Sequence, residues 1–211
     1  MKHVVLLGDS VFDNAAYVAG GPDVIQQLRQ KLPQGWKATL EAVDGSLTDH
    51  VPVQLQHVPD DASHLIISVG GNDVLVRINF LNERVHSISE ALERLTDIAG
   101  QFEERYSAML EKVLNQGLPT ALCTIYYPYN LDPPTQRIAV AALAVFDDVI
   151  LRQAFSAGVP VLELRLICTE ASDYANPIEP STHGGDKIAT EIVRLLEEHD
   201  FGRRRTEVFI S

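Results

Sequence analysis

Five short apolar runs alternate along the chain with stretches in which apolar residues recur at every third or fourth position. In the first run Val4 to Leu7 are apolar without a break, the pattern of a strand covered on both faces in a parallel sheet between helix layers. Lys37–Val43 alternates around Ala38, Leu40 and Ala42 or Val43, and His64–Val69, Thr120–Tyr127 and Val159–Leu164 complete the set. Between them, Asp23–Leu32 puts Val24, Ile25, Leu28 and Leu32 on one helical stripe with Asp23 as its cap. Val85–Leu114 carries the longest stripe, interrupted near Gly100 and stopped at Gly117. Ile138–Phe155 ends at Gly158, and Asp186–Glu198 turns Ile188, Ile192 and Leu195 inward. Val11–Ala19 and Thr48–Leu55 are weaker helical segments, the second despite Pro52. Strands and helices in this alternation predict a three-layer α/β/α fold. Its five-stranded parallel sheet takes the flavodoxin-like order 2-1-3-4-5, with residues 1–211 forming one domain.

Composition narrows the partners more than the fold. The 211 residues suffice for one α/β domain, and 45% hydrophobic residues describe an ordinary globular protein. A formal net charge of −12 disfavours nucleic acid, which is bound through a basic surface that neutralises phosphates. The basic cluster Arg203-Arg204-Arg205 is short and serves to solvate the tail or pair with acidic side chains. Two cysteines, Cys123 and Cys168, make no disulfide framework. The apolar run before Gly8-Asp9 is too short for a secretory signal, and no stretch reaches bilayer-spanning length. The expectation is a cytoplasmic protein without stable membrane insertion.

Three apolar runs stop at glycine beside small polar residues: Gly8-Asp9-Ser10, Asp44-Gly45-Ser46 and Gly70-Gly71-Asn72-Asp73. The carboxyl edge of an open α/β sheet is where ligands bind, so these residues are the first candidates for chemistry. Ser10, at a strand-to-helix turn, suits a nucleophile, although serine also caps helices. Its hydroxyl needs a base to accept the proton. Of seven histidines, His3 lies in the first strand on the wrong side of Ser10, and His50, His57, His64, His86 and His199 have no chemical partner nearby in the sequence. His183 ends the long polar segment Glu170–Ser181 just before the last helix, on the carboxyl edge, where it can face Ser10.

Gly8-Asp9-Ser10 with Asp13, then Gly45, then Gly70-Gly71-Asn72-Asp73, then a late His183 resemble the four sequence blocks of the SGNH hydrolases, the GDSL family of esterases and lipases. The blocks fall in order at strand-to-loop boundaries and span nearly the whole chain. The resemblance implies a serine esterase acting on a small-molecule ester through an acyl-enzyme on Ser10, with His183 as base and no metal or cofactor. It also implies an oxyanion hole from the backbone N–H groups of Ser10 and Gly45 and the side-chain amide of Asn72. Donors converging from several strand ends on one developing negative charge are physically apt for that chemistry. Asp9 and Asp73 read as loop-holding carboxylates.

Two departures stand out. Val11 replaces the leucine usual in the first block. Where the family places an aspartate three residues before the histidine, this chain has Pro180, and the nearest upstream acid is Glu179. Glu179 is therefore expected to orient His183, with Asp186 as a rival and a Ser-His dyad as the remaining alternative. With no visible lid, short, soluble esters are favoured. The reading from a different class is a non-catalytic flavodoxin-like module that cradles a phosphate on loop amides. Against a zinc hydrolase stands the absence of any His or Cys pair at ligand spacing.

Overall fold

The computed structural model describes residues 1–210. Strands β1 (Lys2–Gly8), β2 (Trp36–Leu40), β3 (His64–Ser68), β4 (Thr120–Cys123) and β5 (Val161–Leu162) pair in parallel in the order β2-β1-β3-β4-β5. A further strand near the C-terminus, β8 (Val208–Phe209), adds in parallel beside β5, so the sheet has six strands rather than five. Two residues are too few to leave a periodic signal, and the preceding arginines read as tail. Those arginines in fact anchor the tail: Arg204 donates to the carbonyls of Ala157 and Ser156, and Arg203 and Arg205 pair with Asp200 and Glu207.

Successive side chains of a strand point to opposite faces, and here both faces are covered. Val4, Leu6 and Ile66 pack into one core with helices α1 (Val24–Lys31) and α7 (Thr182–Glu198). Val5, Leu7, Leu65 and Ile67 pack into the other with α4 (Ile88–Leu114) and α5 (Pro133–Ala157). The helices start where side chains satisfy their free N–H groups. Asp23 and Gln26 form a reciprocal capping box on α1, Ser87 caps α4 and Asp132 caps α5. Among the described residues no helix is long and apolar enough to cross a membrane.

Three local differences from the sequence expectation matter for the site. Residues 11–19 form turns and not a helix, because Phe12 and Asp13 donate back to the Asp9 carbonyl and the chain then reverses again at Asn14–Tyr17. After the short helix α6 (Leu164–Ile167), the polar segment folds into a single 3-10 turn (Ala171–Asp173) and a hairpin of β6 (Tyr174–Asn176) and β7 (Glu179–Pro180). Finally α7 starts at Thr182, earlier than Asp186, because the Ser181 hydroxyl caps it by accepting from the N–H groups of His183 and Gly184.

Candidate active site

The turn after β1 is held from every side. Gly8 sits at φ +125°, and a Cβ there would lie 1.8 Å from the Ser68 carbonyl oxygen, so only glycine lets the two strand ends come this close. The buried Gln54 amide clamps the same residue, accepting from Gly8 N–H and donating to Gly8 C=O, both at 2.8 Å. Asp9 donates its N–H to Ser68 and accepts from Val11 N–H on its carboxyl, which closes the turn around Ser10. Ser10 itself is 7% exposed, and its Oγ donates to Glu179 Oε1 at 3.0 Å.

Glu179 reaches Ser10 because its backbone is pinned. Asn176 Oδ1 accepts from the N–H groups of both Ile178 and Glu179, an Asx turn that forms the tip of the hairpin. The Tyr126 hydroxyl donates to Ile178 C=O, Tyr129 N–H donates to Pro177 C=O, and Asn14 Nδ2 donates to Pro180 C=O. The other carboxyl oxygen, Oε2, is buried and has no hydrogen-bond partner among the described residues. Burial pushes the Glu179 carboxyl up to about 7, against the pull of the Ser10 hydrogen bond and with a further push from Asp44. Asp9 is pushed up to about 8, chiefly by burial, although the Val11 N–H opposes the shift.

Asn72 lies in the first turn of α3 (Gly71–Leu75), and its Nδ2 donates to Ser46 C=O at 3.1 Å. That bond ties the loop after β3 to the loop after β2 and fixes the amide plane; the second N–H of the same nitrogen is left for the cleft that Asn72 lines. The Gly45 loop is steadied by Asp13, which accepts from Asp44 N–H at 2.9 Å, and by Tyr17, whose hydroxyl donates to Asp44. Asp73 accepts from the N–H and the hydroxyl of Thr48, with Arg105 at 3.8 Å. Asp9 and Asp73 thus hold loops.

Ser10, Asn72 and Glu179 open into a cleft of about 270 Å³ whose walls come from α3 (Val74, Leu75) and α5 (Ala139, Leu143) and from Ile178. No lysine, arginine or histidine lines it among the described residues. A sequence model described as the GDSL-like lipase/acylhydrolase family matches residues 6–186. The chain belongs to this family. It is accordingly an ester hydrolase in the broad sense. No curated protein matches it. Among solved structures it resembles the extracellular lipase of Streptomyces rimosus, with TM-score 0.66 and 17% identity, over 95% of this chain and 100% of that one. Phospholipase A1 of Streptomyces albidoflavus NA297 gives TM-score 0.64 and 15% identity over 94% and 99%. The M. smegmatis aryl esterase gives 0.65 and 15% over 93% and 98%. At these identities the likeness is one of fold.

The family's late histidine, expected at His183, is not brought to Ser10. Its backbone N–H is bound in the first turn of α7, its side chain is 55% exposed, and its Nε2 lies 3.8 Å from Asp173 Oδ1. Asp173 is fully buried and gathers Thr169 N–H, Glu170 N–H and the Lys187 ammonium. The expected chain of Glu179 to His183 to Ser10 is therefore replaced by a direct Glu179–Ser10 bond. The reason is local: the hairpin ends at Pro180 and α7 begins at Thr182, so Glu179 leaves a strand while His183 leaves a helix. Gly184 makes this start possible, since a Cβ there would sit 2.1 Å from the Asp173 carbonyl oxygen. Asp186 pairs with Lys31 at 2.9 Å on the surface, away from the chemistry. Asn176, Asn14 and Asp173 were not singled out in the sequence; the Asn176-Pro177 turn dipeptide was the available signal for the first. Among the described residues no three His, Cys, Asp or Glu side chains group as a metal site.

Proposed function

We propose that this chain, acting as one domain, hydrolyses small carboxylic esters through an acyl-enzyme on Ser10. The observation that carries the reading is the Ser10 hydroxyl, buried in a cleft that no cation lines among the described residues, with its proton already directed at a carboxyl oxygen 3.0 Å away. Ser10 Oγ adds to the ester carbonyl carbon as its proton leaves, and negative charge develops on the carbonyl oxygen. The free N–H of Asn72 and the backbone N–H groups of Gly45 and Ser10 are the donors for that charge. Collapse expels the alcohol, and water then releases the acid.

The cleft supports an uncharged acyl group of short length. Its volume of about 270 Å³ lies just below the roughly 300–1,000 Å³ of ordinary ligand pockets, and its walls are apolar. A phosphate-binding module is disfavoured by the same walls, because among the described residues they present no cation to an anion. The test is a series of p-nitrophenyl esters of increasing acyl length on wild type and Ser10→Ala. Turnover is expected to peak among the short neutral acyl groups, to fall for a succinyl ester and to vanish in Ser10→Ala. Wild-type-like turnover in Ser10→Ala ends the reading.

A further inference from the structure

Resting on that reading of Ser10, we infer that Glu179 accepts the Ser10 proton itself, so that the working pair is serine and glutamate, and His183 takes no part in proton transfer. The only side-chain hydrogen bond that Ser10 makes among the described residues runs to Glu179 Oε1. The acceptor is held there by a backbone fixed through Asn176, Tyr126 and Asn14, on a loop where nothing else competes for the carboxyl. A carboxylate that merely oriented a histidine would have its second oxygen on an imidazole N–H. Here Oε2 is buried and unpartnered, which leaves the negative charge undiluted by further donors. His183, the histidine with the right place in sequence, lies instead against the Asp173–Lys187 ion pair on the outer side of the loop.

The protons balance without a third residue. Ser10 O–H gives its proton to Glu179 Oε1 as Oγ bonds to the carbonyl carbon, and the protonated carboxyl returns it to the departing alkoxide as the C–O bond breaks. In deacylation Glu179 takes a proton from the attacking water and returns it to Ser10 Oγ. An ordinary carboxylate is too weak a base for this at neutral pH. Asp44 is the charged group that acts on Glu179, and Glu179 in turn raises Asp9, Tyr17 and Tyr126; none of these neighbours is a cation. Burial among them lifts Glu179 to about 7, into the range where a base works best.

The experiment measures p-nitrophenyl acetate turnover between about pH 5 and pH 9 for wild type, Ser10→Ala, Glu179→Gln and His183→Ala. Wild type is expected to rise with pH to a plateau with a midpoint near 7. Glu179→Gln keeps an acceptor for Ser10 but not a base, and is expected to lose about a thousandfold in kcat, within the 10²–10⁴ that a positioned base contributes. His183→Ala is expected to keep the plateau within about threefold and the same midpoint. An inactive His183→Ala beside an active Glu179→Gln overturns the inference while leaving Ser10 as nucleophile, whereas an active Ser10→Ala overturns both. If Glu179→Gln proves unfolded by its melting curve, the His183→Ala profile decides alone: a retained midpoint supports the glutamate and a lost one overturns it.

Discussion

The two sides of the polar loop handle charge in opposite ways. On its inner side Glu179 and Asp9 are buried near one another without a cation, and both carboxyls are pushed toward the protonated form. On its outer side the equally buried Asp173 has Lys187 at 2.8 Å, two backbone N–H groups, and the His183 ring close by. Cost and use divide accordingly. A paired and hydrogen-bonded buried carboxylate fixes structure, whereas unpaired ones are an expense that a fold carries where a base is needed.

The larger of two further effects is catalytic and belongs to the cleft that the inner side faces. Asn72→Ala removes one oxyanion donor and is expected to lower kcat by about two to three orders of magnitude with little change in KM. Steady-state kinetics on one activated ester checks it; a raised KM with unchanged kcat would make Asn72 a binding group instead.

The smaller effect is on stability and has opposite signs on the two sides. Asp9 has its folded value raised to about 8 from 3.8, so the folded state holds a proton that the unfolded chain releases between these limits. Stability from this group is therefore greatest below about pH 4 and declines as pH rises toward 8. Asp9→Asn removes that decline and is expected to raise Tm at pH 8 while changing it little at pH 4. Asp173→Asn strips the Lys187 ammonium of its charged partner and is expected to cost about 2 kcal/mol, or about 6 °C in Tm for a chain of this size. Melting curves of both variants at the two pH values check the pair, and a loss at pH 8 in Asp9→Asn would break the comparison.

Much of this was legible in the residues. Val4–Leu7, apolar without alternation, and His64–Val69, nearly unbroken at Leu65, Ile66, Ile67 and Val69, announced strands covered on both faces, and three strand ends with glycine and small polar residues marked the edge where Ser10 and Asn72 now lie. The sixth strand was hidden because its two residues have no period. The direct hydrogen bond from Ser10 to Glu179 was not legible, for a directional reason. Four positions separate Glu179 from His183, and which of them faces the cleft depends on where the hairpin stops and α7 starts. The inward stripe of Ile188, Ile192 and Leu195 is legible only from Asp186 onward. The Ser181 cap, together with the close approach of Gly184 to Asp173, moved the start earlier and carried His183 outward.

The central claim is that Ser10 carries the acyl group, and trapping tests it most directly. Wild type treated with an ethyl fluorophosphonate, digested and read by mass spectrometry is predicted to carry the phosphonyl mass on the peptide containing Ser10, with no label in Ser10→Ala. A label on another serine, or an unlabelled protein that still turns over ester, would contradict the account.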